Sequence, residues 1–545
     1  MENKAPNINF PDRVPPPDVF DDQKKTAHSF SSEQELPVLT SVNGYPIGDI
    51  MHCLQISGYP VVSDGILMEQ QQLFNREKVV ERAAHACGSG AFGYFEVTKD
   101  MTKYCKAKFL SAIGKKTPIF CRFSTVTYGR DYPDSARNPR GLALKFYTED
   151  GNYDILCINF PVFFVRDPLM GSNLIYSQRR DPNNFCEPWN STFDFMSLVP
   201  ESMLANTWFW SDHGTPAGWR NMNGYACHTF KWCVAGVKNF TCSKSIRMCG
   251  EDPEYAKRDL KEFIDQGNEC EWKCYIQFMT EDDVNNAKFD PFDATKMWCE
   301  DEYQLHEFGR FVLNRNPTNY HTYVEQAAFS PGSLVPGIEI SPDPLLQFRC
   351  FLYRDAQMYR LGANFHQIPV NCPFMVKNHH PLLACDGRLR YDSNGGETPK
   401  YYPTCYDEFE CNISMYNEQP QPINGWLSRK SSSKHEQQLP IDDEYKQARY
   451  FYFNGLNDQE RKNLYSNIVY GFKYVKRRDI KMRFLICCYK VHEDYAKGIC
   501  DEMTNQQDQS GIDFQQVQKI ANEQFAGRHT VDLLNGYIPY PLDMT

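Results

Sequence analysis

Residues 118–126 read Pro118-Ile-Phe-Cys-Arg122-Phe-Ser124-Thr-Val126. As a strand, this run puts Phe120, Arg122 and Ser124 on one face and Cys121 and Phe123 on the other. Two similar runs follow, Gly141–Thr148 and Asp154–Val165, separated by turn-rich segments. Such spacing from about residue 86 to residue 312 predicts a sheet or barrel core. The third run is apolar on both faces, as a fully buried strand would be. Asn159 lies inside it and must be hydrogen-bonded, or it costs about 1–3 kcal/mol. Arg122 either faces solvent or, on an apolar strand face, requires an anionic partner.

On either side of this core the composition changes. Residues 1–75 are rich in Pro, Asp and Gln with scattered apolar anchors and read as an extended arm. Residues 313–435 are rich in Pro, Asn and Tyr and carry one clear helix, and 428–440 is a polar linker. From 441 to 503 the pattern turns helical. There Asn457-Asp-Gln-Glu460 resembles a capping box ahead of Leu464, Ile468 and Val469.

The chain has 545 residues and a net charge of −11, with 41 % hydrophobic residues. It is long enough for a large core and too apolar to be disordered. The acidic balance argues against nucleic acid or an anionic membrane as partner. The longest apolar run falls short of the roughly 18 residues of a membrane span. No two of the 21 cysteines are spaced Cys-x-x-Cys, so reduced thiols are the expectation. The N-terminus lacks the apolar core of a secretory signal, and Leu542-Asp-Met-Thr545 is not the Ser-Lys-Leu peroxisomal address.

Two segments outside the strands carry unusual chemistry. Ser341-Pro-Asp-Pro344 is a helix start signal and Gly362 a stop. Between them Arg349, Tyr353, Gln357 and Arg360 fall near one stripe, with Leu345, Leu346, Phe351 and Leu352 predicting a largely buried helix. Arginine beside tyrosine favours the phenolate, and a metal ion would favour it further; a tyrosine–arginine stack is the alternative. The run Glu81-Arg-Ala-Ala-His85-Ala-Cys-Gly-Ser-Gly-Ala-Phe-Gly93 surrounds a histidine with small residues. It serves either as a turn or as a place where backbone closely approaches something flat and bulky.

Together these segments resemble the monofunctional haem catalases of the small-subunit type, over roughly residues 40–500. The stretch Phe74-x-Arg76-x-x-x-x-Glu81-Arg82-x-x-His85-x-x-Gly88-Ser89-Gly90 follows that family's active-site pattern, and the surrounding segments occur in the same order. The resemblance implies an α+β fold with an eight-stranded antiparallel β-barrel. It divides the chain into an N-terminal arm (1–85), the barrel (86–312), a wrapping segment with the proximal helix (313–435), a helical C-terminal domain (436–523) and a tail (524–545). It implies haem b with Tyr353 as iron ligand and Arg349 holding the phenolate. Arg82, Arg122 and Arg360 would pair with the haem propionates. His85 and Asn159 would face the iron from the distal side, with Ser124 orienting the histidine. His228 and Phe164 would lie against the haem. The implied reaction is dismutation of hydrogen peroxide to water and dioxygen by a homotetramer, in the peroxisome or the cytoplasm.

Several positions depart from the family pattern. Cys350 and Leu352 loosen the proximal motif, and Gly171 and Leu174 replace phenylalanines. Asn138 stands where the family has a channel aspartate, which would weaken the field along the channel. The loop Tyr128-Gly-Arg-Asp-Tyr132 is bulkier and more charged than usual. Leu204, His213 and Glu300 replace cationic contacts to NADPH, and the region after Phe240 is shortened, although Ser211, Asn223, Gln447 and Phe451 remain. NADPH binding is therefore expected to be weak or absent. The alternative function is a related haem protein that acts on organic hydroperoxides or lacks catalysis. Cys87 and Cys487-Cys488 raise the expectation of thiol sensitivity.

Overall fold

The strand at the centre of the predicted core, β2 (Lys116–Thr125), pairs antiparallel with β1 (Gly88–Val97) and β3 (Arg140–Thr148). With β4 (Gly151–Ile158), β5 (Cys270–Ile276) and β6 (His306–Arg315) they form one antiparallel sheet in the order β4-β3-β2-β1-β6-β5. This computed structural model describes residues 38–231, 250–287, 289–377, 386–388, 390, 399, 401–406 and 441–524. Among those the sheet has six strands, two fewer than the eight expected; the expected barrel region also includes 232–249, which lie outside the described residues. The linker 428–440, the region after Phe240 and residues 525–545 of the tail lie outside them as well, as do residues 1–37 of the arm.

The two faces of β2 divide as the alternation predicts. Cys121 and Phe123 join a core with Ala91, Leu142, Leu144 and Phe146. Phe120 belongs to a separate cluster with Phe92, Tyr147 and Val324. On the Phe120 face the register places Ser124 between Gly88 of β1 and Gly141 of β3. A Cβ on Gly88 would meet the Phe123 carbonyl at 2.1 Å, so only glycine allows the strands to close there.

Ahead of the C-terminal region come α1 (Gly65–Phe74), α2 (Pro168–Ser177) and α3 (Trp189–Leu198). They are followed by α4 (Met203–Trp210), α5 (Tyr255–Asp265) and α6 (Pro344–Leu361). In α6, Asp343 caps the N-terminus by accepting from Leu345 N and Leu346 N at 2.9 and 3.0 Å, and Pro344 opens the first turn. Such a cap is worth about 0.5–2 kcal/mol. Gly362 ends the helix at φ +94°. Leu345 and Leu346 are buried as expected, but Phe351 is 70 % exposed and Leu352 39 %. Phe351 lies opposite the stripe that faces the sheet, whereas Leu352 sits beside that stripe.

The C-terminal region contains α7 (Ile441–Tyr450), α8 (Asp458–Phe472), α9 (Arg478–Val491), α10 (Glu493–Asn505) and α11 (Phe514–Gln524). The capping box at Asn457 forms: its side chain accepts from Gln459 N and Glu460 N, and Glu460 Oε2 accepts from Asn457 N. Leu464, Ile468 and Val469 are buried against Phe193 and Trp210 from α3 and α4. This apolar cluster joins the helical region to the segment that follows β4.

Candidate active site

A cavity of about 380 Å³ lies between the Ser124 face of the sheet and α6, closed at one side by α2. From α6, the stripe predicted from sequence (Arg349, Tyr353, Gln357 and Arg360) lines it. Opposite stand His85, Ser124 and Arg122, with Arg82 and Phe164 at its walls.

His85 is held by its backbone and by its ring. Its main chain is left-handed, at φ +63°, a conformation that costs a non-glycine residue on the order of 1 kcal/mol and persists only where neighbours enforce it. His85 N donates to Val126 O at 2.8 Å. The ring lies over Gly141, where a Cβ would come within 2.5 Å of Nδ1. Nδ1 is 2.9 Å from Ser124 Oγ. Burial pushes the imidazole down to about 3, helped by the positive charges of Arg122, Arg349 and Arg82. The ring is therefore neutral at physiological pH. When Nδ1–H donates to Ser124 Oγ, Nε2 keeps a free lone pair.

This carries a pH prediction. The rate of peroxide consumption should show no loss with a midpoint near the ordinary histidine value of about 6.5, and a titration centred there would contradict the assignment of a depressed His85. For stability, the folded ring binds its proton at a lower pH than the unfolded one. Its contribution is complete above about 6.5 and is lost as pH falls toward 3.

Arg349 Nη2 donates to Tyr353 Oη at 2.6 Å, and its guanidinium also lies 4.9 Å from the ring centroid. Burial opposes the charge on Arg349, and the neighbouring Tyr353 more than offsets this. At the far end of the cavity, Arg82 donates to the carbonyls of Val324 and Ala327, and Arg360 to those of Glu325 and Ala327. Arg122 donates to the carbonyls of His85 and Ala86. Burial pushes the pKa of all three down, and like charge pushes those of Arg82 and Arg360 further, Arg360 to about 10. Since a guanidinium does not give up its proton in proteins, that direction signals an unmet demand for negative charge. Arg82 Nη1 and Arg122 Nε are buried without a hydrogen-bond partner. An apolar cavity with orphaned guanidinium donors at one end and an arginine-bound phenol on its wall fits a flat metalloporphyrin with two carboxylates.

Two residues implied by the resemblance do not line the cavity. Asn159 Oδ1 accepts from Arg140 N at 2.7 Å and its Nδ2 donates to His213 O at 2.9 Å. This satisfies the buried amide and fixes the backbone just before Gly141, beneath His85. His228 Nδ1 lies 2.6 Å from Asp343 Oδ2. It therefore anchors the carboxylate that caps α6, next to Ala226 and Cys227, which line the cavity.

The departures from the family pattern also resolve differently from expectation. Asn138 is fully buried and off the cavity; its Oδ1 accepts from Val126 N and Thr127 N, and its Nδ2 donates to Thr127 O. It locks the segment that holds the His85 backbone. Asn138→Asp would turn a donor into an oxygen facing a carbonyl, with an expected loss of about 1–3 kcal/mol; an unchanged melting temperature would contradict this role. Tyr128 and Tyr132 pack on each other at 4.9 Å and are buried outside the cavity, so the loop's bulk goes into the core. Burial and Asp134 push the Cys87 thiol up to about 11, which makes it a poor thiolate source and goes against the expected sensitivity there.

Glu325 was not singled out from sequence. It is a buried carboxylate beside Arg82, Arg130 and Arg360. Its signal was the single charge inside the mostly apolar run Tyr323-Val-Glu-Gln-Ala-Ala-Phe329.

Residues 40–408 match the family model described as Catalase, and residues 439–503 match one described as Catalase-related immune-responsive. The chain is 42 % identical over 503 residues to a catalase of Methanosarcina barkeri, covering 89 % of this chain and 96 % of that one. It is 40 % identical to a catalase of Sus scrofa, covering 88 % and 93 %. Among solved structures, catalase A from Saccharomyces cerevisiae superposes with a TM-score of 0.80 at 37 % identity, covering 85 % of this chain and 98 % of that one. A fungal catalase gives 0.81 at 34 % identity, covering 86 % and 97 %.

Proposed function

The chain belongs to the catalase family, and from that premise we propose how its own residues carry out the dismutation of two hydrogen peroxides to two waters and one dioxygen. Its fold is the α+β catalase fold, and the protein is an oxidoreductase that acts on hydrogen peroxide.

The cofactor in this reading is haem b. Arg82, Arg122 and Arg360 would hold its carboxylates, Tyr353 Oη would supply the metal ligand, and Phe164 would pack against the ring. When bound, the iron porphyrin would supply the redox chemistry of the reaction. Arg349 Nη2 donates to Tyr353 Oη and so fixes the oxygen that would meet the metal. His85 Nε2 takes the proton from one peroxide oxygen and returns it to the other. Ser124 holds the ring tautomer that leaves Nε2 basic. Asn159 acts as a positioning residue through Arg140 and Gly141, and His228 positions α6 through Asp343. The observation that carries this reading is the neutral His85 ring, locked between Ser124 and Gly141 opposite an arginine-bound tyrosine. The test is oxygen evolution from the purified, haem-loaded chain, with the His85 and Tyr353 variants as comparisons.

NADPH is not part of this reading. Trp208 stacks on Phe451 at 4.3 Å and lies 4.6 Å from His213. Gln447 spends both amide atoms on the backbone of Met297, and Ser211 Oγ donates to Trp208 O. The residues kept from the nucleotide site thus have partners within the fold, Trp208 and Met297 among them. NADPH is expected to leave the melting temperature unchanged; a shift unmatched by ATP would overturn this.

The assembly in this reading is a homotetramer. Helix α1 buries none of its residues, Met51 and Val62 in the arm are 82 % exposed, and Phe351 and Tyr359 line the open side of α6. Light scattering of the purified protein reads the mass directly. No helix among the described residues is long and apolar enough to cross a membrane. Placement in the peroxisome or the cytoplasm follows from family likeness and is read by cell fractionation.

A further inference from the structure

The loop Tyr128-Gly-Arg-Asp-Tyr132 has no role in the chemistry above, yet the fold fixes it firmly. Tyr128 and Tyr132 are buried against each other, and the Arg180 guanidinium lies 5.9 Å from the centre of the Tyr128 ring. Between these anchors Arg130 reaches the arginine end of the cavity. Its Nη2 donates to Glu325 Oε1 at 2.9 Å. Arg82 Nη1 and Arg360 Nη1 approach the same oxygen only to 3.5 and 3.8 Å, too far for a hydrogen bond. Both of those arginines are pinned instead by uncharged carbonyl groups. Glu325 is the carboxylate that faces this cluster, and Glu81 is a second, exposed one beside Gly129.

We propose that Arg130 is a fourth member of the haem-carboxylate cradle, which acts by occupying Glu325 and so leaves Arg82 and Arg360 to the haem carboxylates. A buried carboxylate without a hydrogen-bonded cation is strongly disfavoured. Without Arg130, Glu325 would draw Arg82 or Arg360 onto itself and take that cation from the ligand. This rests on the haem reading above and adds to it a residue supplied by the part of the loop that departs from the family pattern. Arg82 Nη1, Arg122 Nε and Arg130 Nε are buried at this end of the cavity without a hydrogen-bond partner, as is the second Glu325 oxygen, Oε2, so Arg130 meets Glu325 through Oε1 alone.

The test is haem transfer from the full-length holoprotein to excess apomyoglobin, followed in the Soret band. Wild type, Arg130→Ala and the double variant Arg130→Ala with Glu325→Gln are each loaded with hemin or with hemin dimethyl ester. Arg130 is partly exposed, so its truncation leaves the core intact. For hemin, Arg130→Ala should lose haem about tenfold faster, and the double variant should return most of the way to wild type. For the ester, which lacks the carboxylates, wild type and Arg130→Ala should lose the group at the same rate. Equal hemin loss from wild type and Arg130→Ala would overturn the proposal while leaving the haem reading in place, as would an equal acceleration with the ester. Wild type that takes up no hemin at all would overturn both.

Discussion

Replacing His85 with alanine is expected to lower the turnover of hydrogen peroxide by about 10²–10⁴-fold, the range for a positioned general acid–base group. The loss should appear in kcat with little change in haem content, because His85 is not among the groups that would hold the cofactor. The reason lies in what surrounds the ring. It is neutral because burial and three arginines oppose its protonation. It is oriented because Ser124 Oγ meets Nδ1 at 2.9 Å. Ser124→Ala should therefore cost less than His85→Ala, since it loosens the tautomer and leaves the base in place. A His85→Ala protein that keeps more than about a tenth of wild-type turnover would move the proton transfer elsewhere.

Tyr353→Phe is expected to be as damaging by a different route. It removes the only atom in the α6 stripe positioned as an anionic metal ligand and leaves Arg349 without its acceptor. A buried guanidinium stripped of its partner is itself destabilising. The purified variant should carry less haem and a shifted Soret band, and its turnover should drop by more than about a hundredfold. Arg349→Ala keeps the phenol but removes its neighbouring charge, so the expected fall is smaller and haem is retained. A Tyr353→Phe protein with the wild-type spectrum would exclude Tyr353 as the ligand.

Local rules went furthest where one element carried its own signal. The start of α6 at Ser341-Pro-Asp-Pro344, its end at Gly362 and its stripe of four polar residues were all readable, because caps and helical periodicity are short-range. The capping box at Asn457 and the two faces of β2 were readable for the same reason. The sites that depend on distant partners were not. Asn159 and His228 were expected against the haem from the resemblance alone; no spacing rule foretold the bonds they make, Asn159 with Arg140 N and His213 O and His228 with Asp343. Asn138 was read as a lost channel charge; its role as a buried backbone clamp is visible only once Val126 and Thr127 are placed beside it. Glu325 and Arg130 are 195 positions apart, and no spacing rule connects them. The burial of Phe351 was overestimated because apolar periodicity does not tell a face that packs on its own sheet from one left exposed.

The most direct test of the central claim is the stoichiometry of oxygen release in an oxygen electrode, using the purified, haem-loaded chain and a known amount of hydrogen peroxide without any added reductant. Dismutation by His85 opposite a Tyr353-ligated haem predicts one dioxygen for every two peroxides consumed. A haem-loaded protein that leaves the peroxide untouched, or consumes it without releasing dioxygen, would contradict the account.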